Sequence, residues 1–236
     1  MTDADVETSS AAYARRFEGA VGRWFLDVQA RVTLELLRPR AGTSVLDVGG
    51  GHAQLTGPLL AAGCQVTVYG SAEACRDRVH EWVRAGRVAF RSGPLQQAPW
   101  PPASFDAVLA FRLLPHVDRW RDLVAELCRL AREAVIVDYP TFRSANALSG
   151  ALFRLKKELE RDARPFRVFR DAEVAQAFGA AGFTATARRP EFLLPMAVHR
   201  GLRLAPLSRM LEAAARATGL TRALGSPVIL RAERRG

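Results

Sequence analysis

Val45-Leu46-Asp47-Val48-Gly49-Gly50-Gly51-His52-Ala53 is the stretch on which the fold turns. A run of β-prone residues carries one acid and stops at three successive glycines. Glycine admits positive φ and lets a ligand approach the backbone closely. Leu55, Leu59 and Leu60 follow at helical spacing up to Gly63, so a strand, a glycine turn and a helix are expected in that order. Exposed N–H groups where such a helix begins can receive a negative group.

Outward from this unit the same alternation repeats. Strands are expected at Gln65 to Tyr69, Val88 to Arg91, Phe105 to Ala110, Ala134 to Asp138, Thr184 to Ala187 and Pro227 to Ala232. Helical spacing fills the intervals: Ala72 to Ala85, a helix capped by Asp118 with Leu123, Leu127 and Leu130, and Asp171 to Ala181. This rhythm implies an α/β fold: a doubly wound, mostly parallel sheet of seven strands with helices on both faces. Ahead of it, Tyr13, Phe17, Val21, Trp24, Val28 and Val32 form one apolar stripe on a helix over residues 10 to 38, which Gly19 and Gly22 can break. Residues 1 to 40 are therefore an N-terminal helical cap on a single domain of 1–236. Two further segments, 141–170 with Leu148, Leu152, Leu155 and Leu159, and 191–222, read as helical insertions able to act as lids.

In sheets of this kind the ligand crevice lies beyond the carboxyl ends of the strands. That rule selects Gly49 to His52, Gly70 and Ser71, Phe111 and Arg112, and Tyr139.

On these residues the chain resembles the class I S-adenosylmethionine methyltransferases, closest to the branch that acts on small molecules. Asp47, Gly49 and Gly51 match the family's first motif, with Ala53 where many members carry a further glycine. Pro99-Trp100-Pro101-Pro102-Ala103-Ser104-Phe105-Asp106 and Phe111-Arg112-Leu113-Leu114-Pro115-His116-Val117 extend the likeness over residues 10 to 190, and the last strand matches again. The resemblance implies S-adenosylmethionine as cofactor, with Asp47, Gly49, Gly50, Gly51, His52, Gly70, Ser71, Pro94, Leu95 and Phe111 around it. It also implies an acid after the second strand for the ribose and another near the adenine. Gly70 and Pro94 stand at those places here. A missing charge-assisted hydrogen bond costs about 1.5–3 kcal/mol. A nicotinamide-type Rossmann domain fits less well, since it wants the same acid and a G-x-G-x-x-G turn.

Methyl transfer needs the acceptor brought into line with a cofactor that already carries its leaving group. A hydroxyl acceptor also needs a base of near-neutral pKa, and His116, a few residues past the fourth strand, is the candidate. Arg112 can hold an anionic group of the acceptor, or pair with an acid such as Asp138. Tyr13, Phe17, Tyr139 and His199 are the remaining candidates for acceptor contact. The apolar content of 148–159 and 193–220 favours a hydrophobic or lipid-like acceptor. No His, Cys, Asp or Glu grouping has metal-ligand spacing, and three dispersed cysteines make no disulfide framework.

The net charge is +10, of which residues 186 to 236 contribute +7 through ten arginines against Glu191, Glu212 and Glu233. No basic run is interleaved with stacking aromatics, so nucleic acid is not the expected partner. A basic end can still meet an anionic membrane surface, although no apolar run spans a bilayer. The opening Met1 to Glu7 is acidic and polar, unlike a secretory leader, which points to the cytoplasm. Two other functions stay open: a non-catalytic partner of the same fold, suggested by Gly70 and Pro94, and a nucleic-acid methyltransferase, suggested by the basic end.

Overall fold

The computed structural model describes residues 4–144, 166–202 and 204–236. Seven strands form one sheet in the order β3-β2-β1-β4-β5-β7-β6. They are β1 (Ser44–Val48), β2 (Gln65–Gly70), β3 (Val88–Ser92), β4 (Phe105–Ala110), β5 (Ala131–Tyr139), β6 (Phe183–Pro190) and β7 (Val228–Arg234). The first five pair in parallel, and β7 runs antiparallel between β5 and β6. Consequently β6 ends at the same edge as β1 to β5. The sheet is mixed at one side and otherwise parallel.

Period-two alternation sorts each strand between two cores. Leu46, Val48, Val108, Val135 and Val137 face one side, with Trp120, Leu123, Leu127, Phe169, Val174 and Phe178. Val45, Val66, Leu109 and Ile136 face the other, with Trp24, Phe25, Val28, Leu36, Leu55 and Leu59. Both faces are covered, which is why these strands read as nearly continuous apolar runs.

The helices that cover them are α1 (Ala4–Thr8), α2 (Ala11–Ala14), α3 (Gly19–Leu37), α4 (Thr56–Ala61), α5 (His80–Arg84), α6 (Trp120–Leu130) and α7 (Asp171–Ala180). After β6 come α8 (Met196–Leu202), α9 (Ala205–Ala217) and α10 (Leu220–Leu224). The expected first helix is divided before Gly19, and the reason lies at Gly22. A Cβ there would stand 2.3 Å from the backbone carbonyl of Phe17, so the 15–17 turn packs straight onto α3. Helix α1 is an element the sequence pattern did not announce.

Several boundaries differ from expectation, and of the helix expected over Ala72 to Ala85 only a 3-10 turn at Glu73–Arg76 and α5 form. Asp118 is exposed and does not cap α6, which begins at Trp120 after Arg119. Helix α6 also runs into β5 without a connecting loop, so that strand begins at Ala131 rather than Ala134. Strand β6 extends three residues past its expected end, to Pro190. Of the 141–170 lid segment, residues 145–165, including all four leucines of its stripe, lie outside the described residues.

Candidate functional site

At the carboxyl edge of β1 the chain leaves the sheet through Gly49, whose φ is +72°, a conformation that favours glycine. The Gly49 amide donates to the Tyr69 carbonyl (2.8 Å), which ties the turn to the end of β2. A single 3-10 turn follows at Gly50–His52, and α4 begins only at Thr56. Beneath the turn Asp47 is fully buried, and neither of its carboxylate oxygens has a hydrogen-bond partner. Burial alone raises its pKa from 3.8 to about 7. A Cβ on Gly50 would lie 2.3 Å from the Asp47 carboxyl carbon, so glycine is what lets this carboxylate lie against the turn. A buried acid without a donor is costly unless a donor arrives. An ammonium group presented at the glycine turn meets that need, and in this respect the residues fit S-adenosylmethionine.

His52 closes the turn and is also buried. Its Nδ1 accepts from the Gln54 amide (3.1 Å), which places the ring proton on Nε2, an atom without a partner. Burial first, then the charges of Arg112 and Arg78, lower its pKa to about 3. The ring is a neutral donor and no proton acceptor at ordinary pH.

The end of β2 differs from expectation. Gly70 leaves no space for an acid: a Cβ there would be 2.5 Å from the Cys75 Cβ. Replacing it by aspartate would force the 70–75 turn apart. A carboxylate is present nonetheless, brought by α1. Asp5 accepts from the Ser71 amide (2.7 Å) and the Ser71 hydroxyl (2.6 Å). Pro94 contributes its carbonyl to the Tyr69 hydroxyl (3.1 Å), Leu95 packs half-buried against the core on one face of the sheet, and Phe111 is buried in the core on the other.

Beyond β4 the chain turns at Arg112, a non-glycine residue with φ of +57°. Its amide donates to Asp138 at the end of β5, which holds the turn in place. Its guanidinium lies 4.3 Å over the Phe17 ring, with Nη1 donating to the Tyr13 hydroxyl (3.3 Å) and Nε unpartnered. Arg112 thus joins Tyr13, Phe17 and Asp138, and its charge reaches His52 and Glu191.

Glu191 is the residue that sequence reading missed. It directly follows β6, is buried, and neither carboxylate oxygen has a partner. Its backbone is pinned by bonds from its amide to the Pro227 carbonyl (2.9 Å) and from Arg216 to its own carbonyl (2.7 Å). Burial, partly offset by Arg112, raises its pKa to about 8. The rule that selects residues just past parallel strands would have found it had β6 been followed to Pro190 instead of Ala187.

The other candidates are dispersed. His116 ends the 3-10 turn Leu114–His116, half-buried, with its ring centroid 5.6 Å from that of Phe166. Tyr139 is buried and donates to Asp171 (3.1 Å), an acid that also accepts from Thr141 (3.0 Å). His199 is buried among Trp24, Phe25 and Phe192, its Nε2 on Glu212 (3.1 Å). Both side chains are committed to packing and internal bonds. Among the described residues no group of three or more His, Cys, Asp or Glu could hold a metal ion.

With this geometry in view, comparison with known proteins adds three findings. Residues 46–137, from β1 to β5, match the family described as a methyltransferase domain. No curated protein matches the chain. Among solved structures, magnesium protoporphyrin IX methyltransferase from Synechocystis PCC 6803, with bound S-adenosylhomocysteine, is similar at a TM-score of 0.65 and 16% identity, over 94% of this chain and 92% of that one. Geranyl diphosphate C-methyltransferase from Streptomyces coelicolor A3(2) gives 0.61 and 15%, over 89% and 76%. The protein bound to the Trm112 methyltransferase activator of Haloferax volcanii gives 0.65 and 14%, over 99% and 98%.

Proposed function

From a methyltransferase domain at residues 46–137, set in the class I S-adenosylmethionine-dependent fold, we propose that this chain methylates a small, largely apolar molecule at a hydroxyl oxygen. The observation that carries the reading is Asp47: a buried acid with no donor, directly under a glycine turn at the carboxyl edge of a parallel sheet. The cofactor supplies the methyl group and its leaving group. Asp47 and the 49–52 turn bind and orient it, while Ser71, Pro94 and Leu95 border its nucleoside end. Arg112, fixed by Asp138 and stacked on Phe17, faces the acceptor with one free N–H. Tyr13 and Phe17 close the site against water, which strengthens every charge interaction inside it. His116 takes the hydroxyl proton.

Two of the compared structures lend support to an apolar acceptor, since their names give a porphyrin and an isoprenyl diphosphate, the second methylated at carbon. The same reading assigns an anionic membrane surface as a peripheral partner for residues 196–224, where such acceptors would be collected. Among the described residues no helix is long and apolar enough to cross a membrane.

The test is calorimetric titration with S-adenosylmethionine and S-adenosylhomocysteine, followed by turnover on a panel of apolar alcohols and phenols. Both nucleosides should bind the wild-type chain. His116→Ala should leave that binding unchanged while turnover falls about a hundredfold to ten-thousandfold. Loss of cofactor binding in His116→Ala would assign the ring a structural role, and unaltered turnover would remove it from the mechanism.

A further inference from the structure

Helix α1 packs directly against the glycine turn. Asp5 is fully buried, and both of its carboxylate oxygens are engaged. One accepts from the Ser71 hydroxyl at 2.6 Å; the other accepts from the Ser71 amide at 2.7 Å and the Cys75 thiol at 3.4 Å. Thr8 and Ser9 donate back to the Asp5 carbonyl (3.2 and 2.6 Å), so the polar face of this short helix is turned into the protein. The helix also presses on the turn itself. A Cβ at Gly51 would stand 2.3 Å from the Ser9 hydroxyl, and one at Gly49 would stand 3.5 Å from the Asp5 Cβ.

We propose that the carboxyl end of β2 is a carboxylate-binding subsite, built from Ser71 and Cys75, and that the chain fills it with its own Asp5. Helix α1 is then a built-in competitor that S-adenosylmethionine displaces on entry. The proposal rests on the reading that the cofactor lies at the 49–52 turn. Ser71 offers two donors, and a nucleoside brings acceptors in its ribose hydroxyls and ring nitrogens, so both occupants draw on the same groups. Asp5 does not serve the nucleoside from its present position, because its oxygens are engaged and none of its surface is exposed. Displacement is feasible because five residues do not hold a helix by themselves. Once the Asp5 contacts are exchanged, α1 keeps only the packing of Ala4 on the core and its own internal bonds. Any segment that closes a site against its own ligand lowers apparent affinity by the fraction of molecules left open.

The experiment titrates the full-length chain and two variants, Asp5→Ala and Asp5→Asn, with S-adenosylhomocysteine, and follows amide exchange at residues 4–9. Asp5→Ala should bind about tenfold tighter, with Asp5→Asn in between. Saturating ligand should reduce protection at residues 4–9 of the wild-type chain. Weaker binding by Asp5→Ala would make Asp5 a ligand of the nucleoside and overturn the proposal. Equal affinity in all three chains, or increased protection of residues 4–9 on binding, would also overturn it, while leaving the cofactor reading intact. If none of the three binds although circular dichroism shows them folded, it is the cofactor reading that falls, and the displaced helix with it.

Discussion

A carboxylate sealed in the interior with no donor is a group waiting for a partner, and among the described residues Asp47 and Glu191 have that character. For Asp47 the consequence is measurable from both sides. The rise of its pKa from 3.8 to about 7 corresponds to about 4 kcal/mol held against the charged, ligand-free state. Asp47→Asn should therefore make the cofactor-free protein more stable at pH 8, by up to that amount in chemical denaturation. It should also weaken S-adenosylhomocysteine binding about tenfold to a hundredfold, because a charge-assisted bond to the ammonium is lost. A variant less stable at pH 8, or equal in affinity, would show that the acid serves the fold. Asp47 was legible in the sequence because strand, acid and glycines lie within nine residues and their geometry is local. Asp5 was not: its partner Ser71 is 66 positions away, and nothing in a short polar helix announces which distant turn will take it. The crowding at Gly70 was hidden for a related reason, since only packing shows Cys75 against it.

The central strands β1, β2 and β4 were legible almost to the residue, and elements set by contacts between loops were not. Strands β1 and β4 fall within their expected limits because both of their faces are buried and the pattern is strong. Helix α9 shows the opposite case, an element with its polarity inverted. Its buried face is Ala205, Ser208, Glu212 and Ala215. Glu212 is spent inside, accepting from the Leu193 and Leu194 amides (2.9 Å each) and from His199. The outward side carries Leu204 at its start (57% exposed), Met210 (62% exposed) and Leu211, continued by Leu220 and Leu224 around α10. Arg200, Arg209, Arg216 and Arg222 are exposed across the same helices, and Glu212, the single acid between residues 192 and 224, is hidden. Apolar side chains rimmed by exposed cations suit an anionic lipid interface. Co-sedimentation should therefore show binding to vesicles containing phosphatidylglycerol and little to neutral phosphatidylcholine. Met210→Asp combined with Leu211→Asp should lower that binding about tenfold or more and leave nucleoside affinity unchanged. Concentration-dependent self-association in place of lipid binding would identify the face as a contact between copies.

At the scale of the whole molecule, the charge of +10 is partly spent on architecture, which refines what the basic end means. Arg231 on β7 donates to the Leu36 and Leu37 carbonyls at the end of α3, and Arg234 donates to those of Cys128 (3.0 Å) and Ala131 (2.6 Å) at the end of α6. Cations there satisfy carbonyls that a helix end leaves open and complement its dipole. The pH dependence of stability is set instead by the interior of the site. Asp47 and Glu191 have pKa values of about 7 and about 8 in the folded chain, raised from 3.8 and 4.5, and that of Asp138 is also raised, first by burial. A raised acid contributes stability that is complete below its unfolded pKa and is lost as pH climbs through the folded one. His52 works the other way: lowered from 6.5 to about 3, it contributes stability above 6.5 that is lost on acidification. Each unmatched proton changes stability by about 1.4 kcal/mol per pH unit. Between pH 4.5 and 6.5 the two acids are opposed by one histidine, leaving a loss of about 1.4 kcal/mol per unit as pH rises. Between 6.5 and 7 both acids act unopposed, and up to pH 8 Glu191 alone continues. The cofactor-free protein should thus lose roughly 4 kcal/mol between pH 5.5 and pH 8, measured by urea denaturation at the two values. Asp47→Asn with Glu191→Gln should flatten that fall, and saturating S-adenosylhomocysteine should reduce it by giving Asp47 its donor. A wild-type stability that is level or rising toward pH 8 would mean that these acids reach water, and the buried polar site would have to be redrawn as an open one.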